Sequence, residues 1–299
     1  MEKRLIALLS LATLVVLAGC IGIGQEEGIK AGKASGLIIK SFGPDLAEVF
    51  SGDSVTFTAL LENIGEDDAT SVTVKLYGLG TDWTITDAVQ TIGDLSKADS
   101  SMDIPGGQDA VTWDTISPSN LKVNKNYEAK VRVAYSYGTS GLGSIRVYDK
   151  GYLATLPPDE AQTIYRSSGL ESWLVTNGPV DIDVAGAARP YIVETDKALT
   201  ATFTLLLGNE GQGYPYKTSV GDRKVTIDSI KVNDVDCDNW ADIAKDPTIP
   251  RTGQKSVSCK FTIAANTVVD FKTVPIEVEL SYKYYLDASG TVKVLKALS

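Results

Sequence analysis

The chain has 299 residues and carries 38 Asp and Glu against 28 Lys and Arg, a net charge of −10. A surface this acidic repels phosphate backbones and argues against nucleic-acid binding. The sequence holds no histidine, which removes Ser-His-Asp and Cys-His nucleophile systems together with histidine metal sites.

Residues 1–20 start with Glu2, Lys3 and Arg4, run apolar through residues 5–16, and close on Leu17-Ala18-Gly19-Cys20. A charged start, an apolar middle and a small-residue cleavage site make a secretory signal. The apolar core is shorter than the roughly 20 residues needed to span hydrocarbon, which disfavours an uncleaved membrane helix. Leu17-Ala18-Gly19-Cys20 resembles the lipobox of secreted lipoproteins of bacteria and archaea. That resemblance implies removal of residues 1–19 and lipid on the Cys20 thiol, with membrane lipid as the partner at that end. The remaining chain, with 37 acidic and 26 basic residues, is too acidic to dock on anionic lipid through its own charge. The lipid is then the anchor, and two acyl chains hold stably where one holds marginally. Residues 20–35, with their glycines, lysines and glutamates, read as a flexible tether.

From residue 36 onward the pattern is strand after strand, punctuated by Gly, Pro, Asn and Asp. Residues 55–61 form one run, residues 69–77 alternate through Val72, Val74 and Leu76, and residues 127–137 place Tyr127, Ala129, Val131, Val133, Tyr135 and Tyr137 on one face. A period of two with Thr, Val and aromatic enrichment marks half-buried strands. The same signals then return. Thr56-Phe57-Thr58-Ala59-Leu60-Leu61-Glu62-Asn63-Ile64-Gly65 recurs as Thr202-Phe203-Thr204-Leu205-Leu206-Leu207-Gly208-Asn209-Glu210-Gly211, 146 residues on. Gly107-Gln108 falls on Gly253-Gln254 at 146, and Ile104-Pro105 on Ile249-Pro250 at 145. Val131, Tyr135, Tyr137 and Val147 match Val278, Tyr282, Tyr284 and Val294 at 147. Four matches in one order at nearly one offset identify a tandem duplication.

The fold expected is therefore all-β: two tandem immunoglobulin-like antiparallel β-sandwiches, at residues 36–156 and 178–299. Residues 157–177 are expected as a short helical connector, starting at Pro157-Pro158-Asp159-Glu160 and stopping at Gly169. It is apolar enough to pack on a domain. Residues 170–175 read equally as helix or strand. The recurring Asn-x-Gly is expected as a tight turn, since Asn and Gly both tolerate a positive φ.

Ser51-Gly52-Asp53-Ser54-Val55-Thr56-Phe57, followed by Leu61-Glu62-Asn63-Ile64-Gly65, Ala69 and Val72-Thr73-Val74, resembles the start of a CARDB-type module. Such modules are immunoglobulin-like repeats of prokaryotic surface proteins, and the resemblance implies surface display or adhesion. The second copy keeps Asn209 and Gly211 but has Tyr214-Pro215-Tyr216 where the next strand should begin.

With Cys20 set aside, Cys237 and Cys259 form an even pair in an oxidising compartment, which predicts a disulfide. Asp234, Asp236, Asp238 and Asp242 place acids at alternating positions, as a calcium loop does, although Asn239 stands for the turn glycine and Lys245 for the closing glutamate. A solvated acidic loop is the competing reading, so the expectation is no cofactor, with weak calcium binding open to test. Tyr214 and Tyr216 have no counterpart in the first copy and are placed on a loop, where partner contacts concentrate. The recurrent Tyr135, Tyr137, Tyr282 and Tyr284 are assigned to packing, with Tyr285 on the opposite face. Trp83, Trp113, Trp173 and Trp240 are assigned to cores. No Asn-x-Ser/Thr occurs, which disfavours a heavily glycosylated lattice subunit. The sum is a non-enzymatic, membrane-anchored lipoprotein outside the cell that serves adhesion, envelope organisation or protein–protein contact, with an envelope protein or glycan as partner. The alternative is a surface glycan- or cation-binding accessory of a hydrolase or solute-uptake system.

Overall fold

The computed structural model describes residues 36–99 and 101–297; the signal, Cys20 and the tether lie outside the described residues. In chain order the first copy supplies β1 (Leu37–Pro44), β2 (Glu48–Phe50), β3 (Ser54–Asn63), β4 (Ala69–Tyr77), β5 (Thr84–Ile85), β6 (Val89–Leu95), β7 (Gln108–Ile116) and β8 (Lys125–Asp149). Helices α1 (Lys150–Thr155) and α2 (Pro158–Arg166) follow. The second copy supplies β9 (Leu170–Val175), β10 (Val180–Ala185), β11 (Tyr191–Val193), β12 (Leu199–Asn209), β13 (Tyr214–Tyr216), β14 (Thr226–Val232), β15 (Val235–Asp236), β16 (Gln254–Ile263) and β17 (Phe271–Leu295). The fold is all-β and its sheets are antiparallel, apart from short parallel contacts of β2 with β17 and β11 with β8. Among the described residues no helix is long and apolar enough to cross a membrane.

Two small sheets, ordered β1-β3-β7-β5 and β10-β12-β16, face the two ends of one long sheet whose spine is β15-β14-β17-β8-β4-β6. Alternation makes the layers. Val55, Phe57, Ala59 and Leu61 of β3 are fully buried, as are Ala129, Val131 and Val133 of β8. Phe57 meets Trp83 at 6.2 Å and Trp83 meets Tyr127 at 5.5 Å, so a chain of edge-to-face rings joins the first small sheet to the long one. At the other end Phe203, Leu205 and Leu207 of β12 face the side of the long sheet that carries Ile145, Val274 and Ile276, all buried.

The long sheet departs from the expectation of two consecutive domains. β8 and β17 are 25 residues each and pair in unbroken antiparallel register from Phe271↔Tyr148 to Val294↔Lys125. At roughly 3.3 Å per residue each strand is about 80 Å long, enough to serve both ends. The first part of β8 pairs with β4, and its last part carries β9 and β11 of the second copy. Reciprocally, β17 begins against β14 and ends against β2. Each end of the molecule thus contains half a strand from the other copy, so boundaries at 156 and 178 cut through a shared sheet.

Residues 157–177 also differ from the expectation of a packed connector. α2 buries none of its side chains, whereas Leu153 of α1 is buried. Residues 170–175 resolve as the strand β9, held by a specific fit. A side chain at Gly141 or Gly143 would lie 2.5 Å from the Trp173 indole. The two glycines leave a trough in β8 for that ring, whose Nε1–H donates to Ile182 O at 2.8 Å.

Candidate functional site

The two copies meet at a waist built from the recurrent tyrosines. Tyr137↔Tyr282 and Tyr135↔Tyr284 are directly opposed on β8 and β17, with ring centroids 6.2 and 5.8 Å apart. Tyr135 and Tyr137 also pack edge to face at 5.8 Å. All four are buried, in line with their assignment to packing. Each hydroxyl has a partner. Tyr135 Oη accepts from Leu37 N at 3.2 Å, and Tyr137 Oη donates to Asn177 O while accepting from Asp67 N. Tyr282 Oη shares a 2.7 Å hydrogen bond with Thr139 Oγ1, and Tyr284 Oη donates to Asn209 Oδ1 at 3.0 Å. Burial pushes all four phenols above their ordinary value, because a phenolate there would lose its hydration.

The repeated Asn-x-Gly fastens this waist by a route other than the expected positive φ; none of Asn63, Gly65, Asn209 or Gly211 takes one. The asparagine side chains do the work. Buried Asn63 donates Nδ2–H to Asp67 O and Leu95 O and accepts from Gly65 N. Asn209 donates to Gly213 O at 2.9 Å while holding Tyr284. The loops then bind the strand entrances, with Ile64 N–H on Gly36 O and Gly211 N–H on Pro179 O, each at 3.0 Å. Gly211 is small because Tyr284 Oη would lie 2.4 Å from a Cβ there.

Cys237 and Cys259 are joined as a disulfide with Cα atoms 5.4 Å apart, tying the loop after β15 to β16. Asp234, Asp236, Asp238 and Asp242 are all exposed around that loop. Asp238 Oδ2 accepts from Thr262 Oγ1 at 2.7 Å, and Asp234 sits at a positive φ of 63°. Among the described residues no three His, Cys, Asp or Glu side chains gather where they could hold a metal ion. Trp240, beside them, is half-buried and carries the Lys245 ammonium over its ring.

Tyr214 and Tyr216 belong to a strand where a loop was expected. β13 pairs with Lys283–Tyr285 of β17, buries Pro215, and packs both half-buried tyrosines against Tyr285 at 6.1 and 5.9 Å. It has a first-copy counterpart after all: Thr70↔Ser136 at the start of β4 corresponds to Tyr216↔Lys283. In the second copy residues 217–225 then interrupt the strand. Asp222 organises this excursion; burial works against its charge, but N–H donors from Thr218, Lys224, Lys217 and Ser219 bring its carboxyl down to about 2. Beside Tyr285, Arg132 and Asp287 form a two-pronged ion pair across β8 and β17, both bonds 2.7 Å. This pair was not singled out from the sequence, because its members lie 155 positions apart.

No family model matches the chain, and no curated protein matches it. Among solved structures, the partial N-terminal region of an enterococcal surface protein aligns at 10% identity over 92% of this chain and 98% of that one, with a TM-score of 0.18. The collagen adhesin of S. aureus aligns at 9% identity over 88% and 94%, with a TM-score of 0.13. Activated alpha-2-macroglobulin of Escherichia coli aligns at 10% identity over 86% and 30%, with a TM-score of 0.16. All three superpose too loosely to define a shared fold.

Proposed function

We propose that this chain is an extracytoplasmic lipoprotein, held to the membrane by lipid on Cys20, that presents two immunoglobulin-like modules of CARDB type for adhesion, envelope organisation or protein–protein contact. The modules are the two ends of the long sheet, linked through residues 157–177 and exchanging strand halves through β8 and β17. The observation that carries the reading is the unbroken β8–β17 ladder. It makes both modules one stiff body that can hold two contact surfaces at a set separation. The Leu17-Ala18-Gly19-Cys20 signature supports the anchor. Metabolic labelling with a lipid precursor tests the anchor: label on the wild type and none on Cys20→Ser is the expected result. Crosslinking on intact cells then identifies the partner; recovery of this chain alone would overturn the contact role.

A further inference from the structure

The duplication makes the two halves of the long sheet comparable edge for edge, and at one place they differ. On the side of β8 away from β17, β4 pairs as far as Ser136, β9 pairs from Gly141 to Ile145, and β11 from Val147 to Asp149. On the corresponding side of β17, β14 and β13 pair as far as Tyr285, and β2 from Lys293. Between them, residues 286–292 have no strand hydrogen-bonded to them among the described residues, although β1 passes close over their inner face, with Phe42 O and Gly43 Cα 3.3 Å from where a Cβ on Gly290 would lie. At the 147-residue offset that aligns the repeats, this is the position β9 fills in the other half.

The backbone is directed at that gap. The β8–β17 register never shifts, so alternate residues of β17 turn their N–H and C=O away from β8. Lys293 N–H points outward, to Ala47 O at 2.9 Å, which puts Asp287, Ser289 and Thr291 in the same outward set. All three are exposed, and their outward backbone groups find no partner among the described residues. The stretch also lacks the proline, lysine and bulge that natural edges use to repel strands.

We propose that residues 286–292 are a strand-addition site for a short extended segment of another polypeptide, running antiparallel to β17 and alternating apolar with polar residues. The proposal rests on the contact-module reading above and names where contact is made. Three features define the occupant. β13 and β2 close the gap at both ends, so a long strand such as the β17 of a second copy does not fit. β9 supplies the direction, antiparallel, with Trp173 inward and Leu174 outward and exposed. The inner face over half-buried Ala288 and Gly290 is already lined by the β1 backbone at Phe42 and Gly43 and by the Phe42 ring, so the occupant's inward residue must be apolar and much smaller than tryptophan.

Residue-resolved amide hydrogen exchange on the purified full chain tests this. In the chain alone, the amides of Asp287, Ser289 and Thr291 exchange fast while that of Arg146, bonded to Gly169 O in the other half, is slow. The probe is a synthetic peptide of residues 169–176 carrying Trp173→Val. At millimolar concentration it slows the three amides about tenfold or more. The same peptide N-methylated on its gap-facing amides does not. Ser289→Pro, which removes an outward N–H and leaves the β8 ladder intact, abolishes the effect, and the methylated peptide decides the matter if that variant does not fold. Protection already present in the chain alone would overturn the proposal, since the edge would then be covered by the chain itself or a second copy. Absence of slowing, or equal slowing by the methylated peptide, would overturn it too. The measurement does not depend on lipid at Cys20, so failure of the anchor and failure of the edge are told apart.

Discussion

Tyr135 and Tyr284 lie opposite each other across the β8–β17 ladder, ring centroids 5.8 Å apart, and each belongs to a different copy of the repeat. Their contact is therefore core for both ends at once. Tyr135 Oη receives Leu37 N–H at the mouth of β1, while Tyr284 Oη binds Asn209 at the end of β12. A disturbance at either ring reaches both small sheets through these bonds.

Tyr284→Ala should cost about 3–5 kcal/mol, the range for deleting a large buried ring. Tyr284→Phe, which removes only the hydroxyl on Asn209, should cost about 1 kcal/mol. In urea, the wild type and both variants should lose structure in one transition seen identically by Trp fluorescence and far-UV circular dichroism. Two separated transitions would mean the ends fold independently.

Cutting the chain after residue 156, into residues 36–156 and 157–299, should give two fragments that fail to fold alone. The first would keep the β8 half that β9 and β11 need while losing those strands, and the second would lose the partner of β17. Mixed or co-expressed, they should combine into one stable complex, as exchanged elements do. Size-exclusion chromatography with circular dichroism distinguishes this from two self-sufficient domains.

Much of the strand pattern was legible because its chemistry is local. Val55, Phe57, Ala59 and Leu61, or Tyr127 through Tyr137, declare a buried face by alternation alone, and every residue of those sets is buried. The disulfide followed from counting thiols. The crossing of the strands was hidden for a physical reason. Beyond Tyr137, β8 continues through Gly138-Thr139-Ser140-Gly141-Leu142-Gly143, a composition that reads as a turn. It stays extended because distant groups hold it: Asp67 Oδ2 accepts Gly138 N–H at 2.8 Å, and Trp173 fills the space above Gly141 and Gly143. The Asn-x-Gly motif was visible, but its role depends on Tyr284 and Leu95, which no local reading supplies.

The Cys237–Cys259 bridge spans 22 residues, and the chain-entropy relation gives about 3 kcal/mol for closing a loop of that size. The paired Cys237→Ala and Cys259→Ala variant should lose about that much stability in urea. Because the bridge ties only the β15–β16 side, exchange protection there should fall first, while the tyrosine waist keeps its protection until global unfolding.

Alkali should unfold the protein through the same waist. The pKa values of Tyr135, Tyr137, Tyr282 and Tyr284 are raised on folding, so above the ordinary phenol value of about 10 the unfolded chain loses protons that the folded chain keeps. The unfolded state then binds fewer protons, and stability falls as pH rises; below about 10 the contribution is complete. Tyrosinate absorbance should appear together with loss of circular dichroism. Tyr282→Phe should shift that transition to higher pH at the expense of the Thr139 hydrogen bond.

The fit of Trp173 over β8 makes the last prediction the most local. A Cβ at Gly143 would lie 2.4 Å from Ser172 O and 2.5 Å from the Trp173 ring, so neither the backbone of β9 nor the indole can yield separately. Gly143→Val should cost about 1–3 kcal/mol by overpacking and lift β9 off its edge. Gly43→Ala, where nothing lies within 4 Å of the added carbon, serves as the neutral control in another strand of the same molecule. Limited proteolysis should then cut Gly143→Val within residues 170–175 while sparing the control. Since this edge of β8 is the occupied twin of residues 286–292, its outward amides at Leu142 and Arg146 should lose protection, and the added peptide should not restore it, because its own Ser172 carbonyl meets the same valine. Uptake at residues 286–292 alone, in the variant as in the wild type, would show that the glycine at 143 is what admits a strand to the β8 edge.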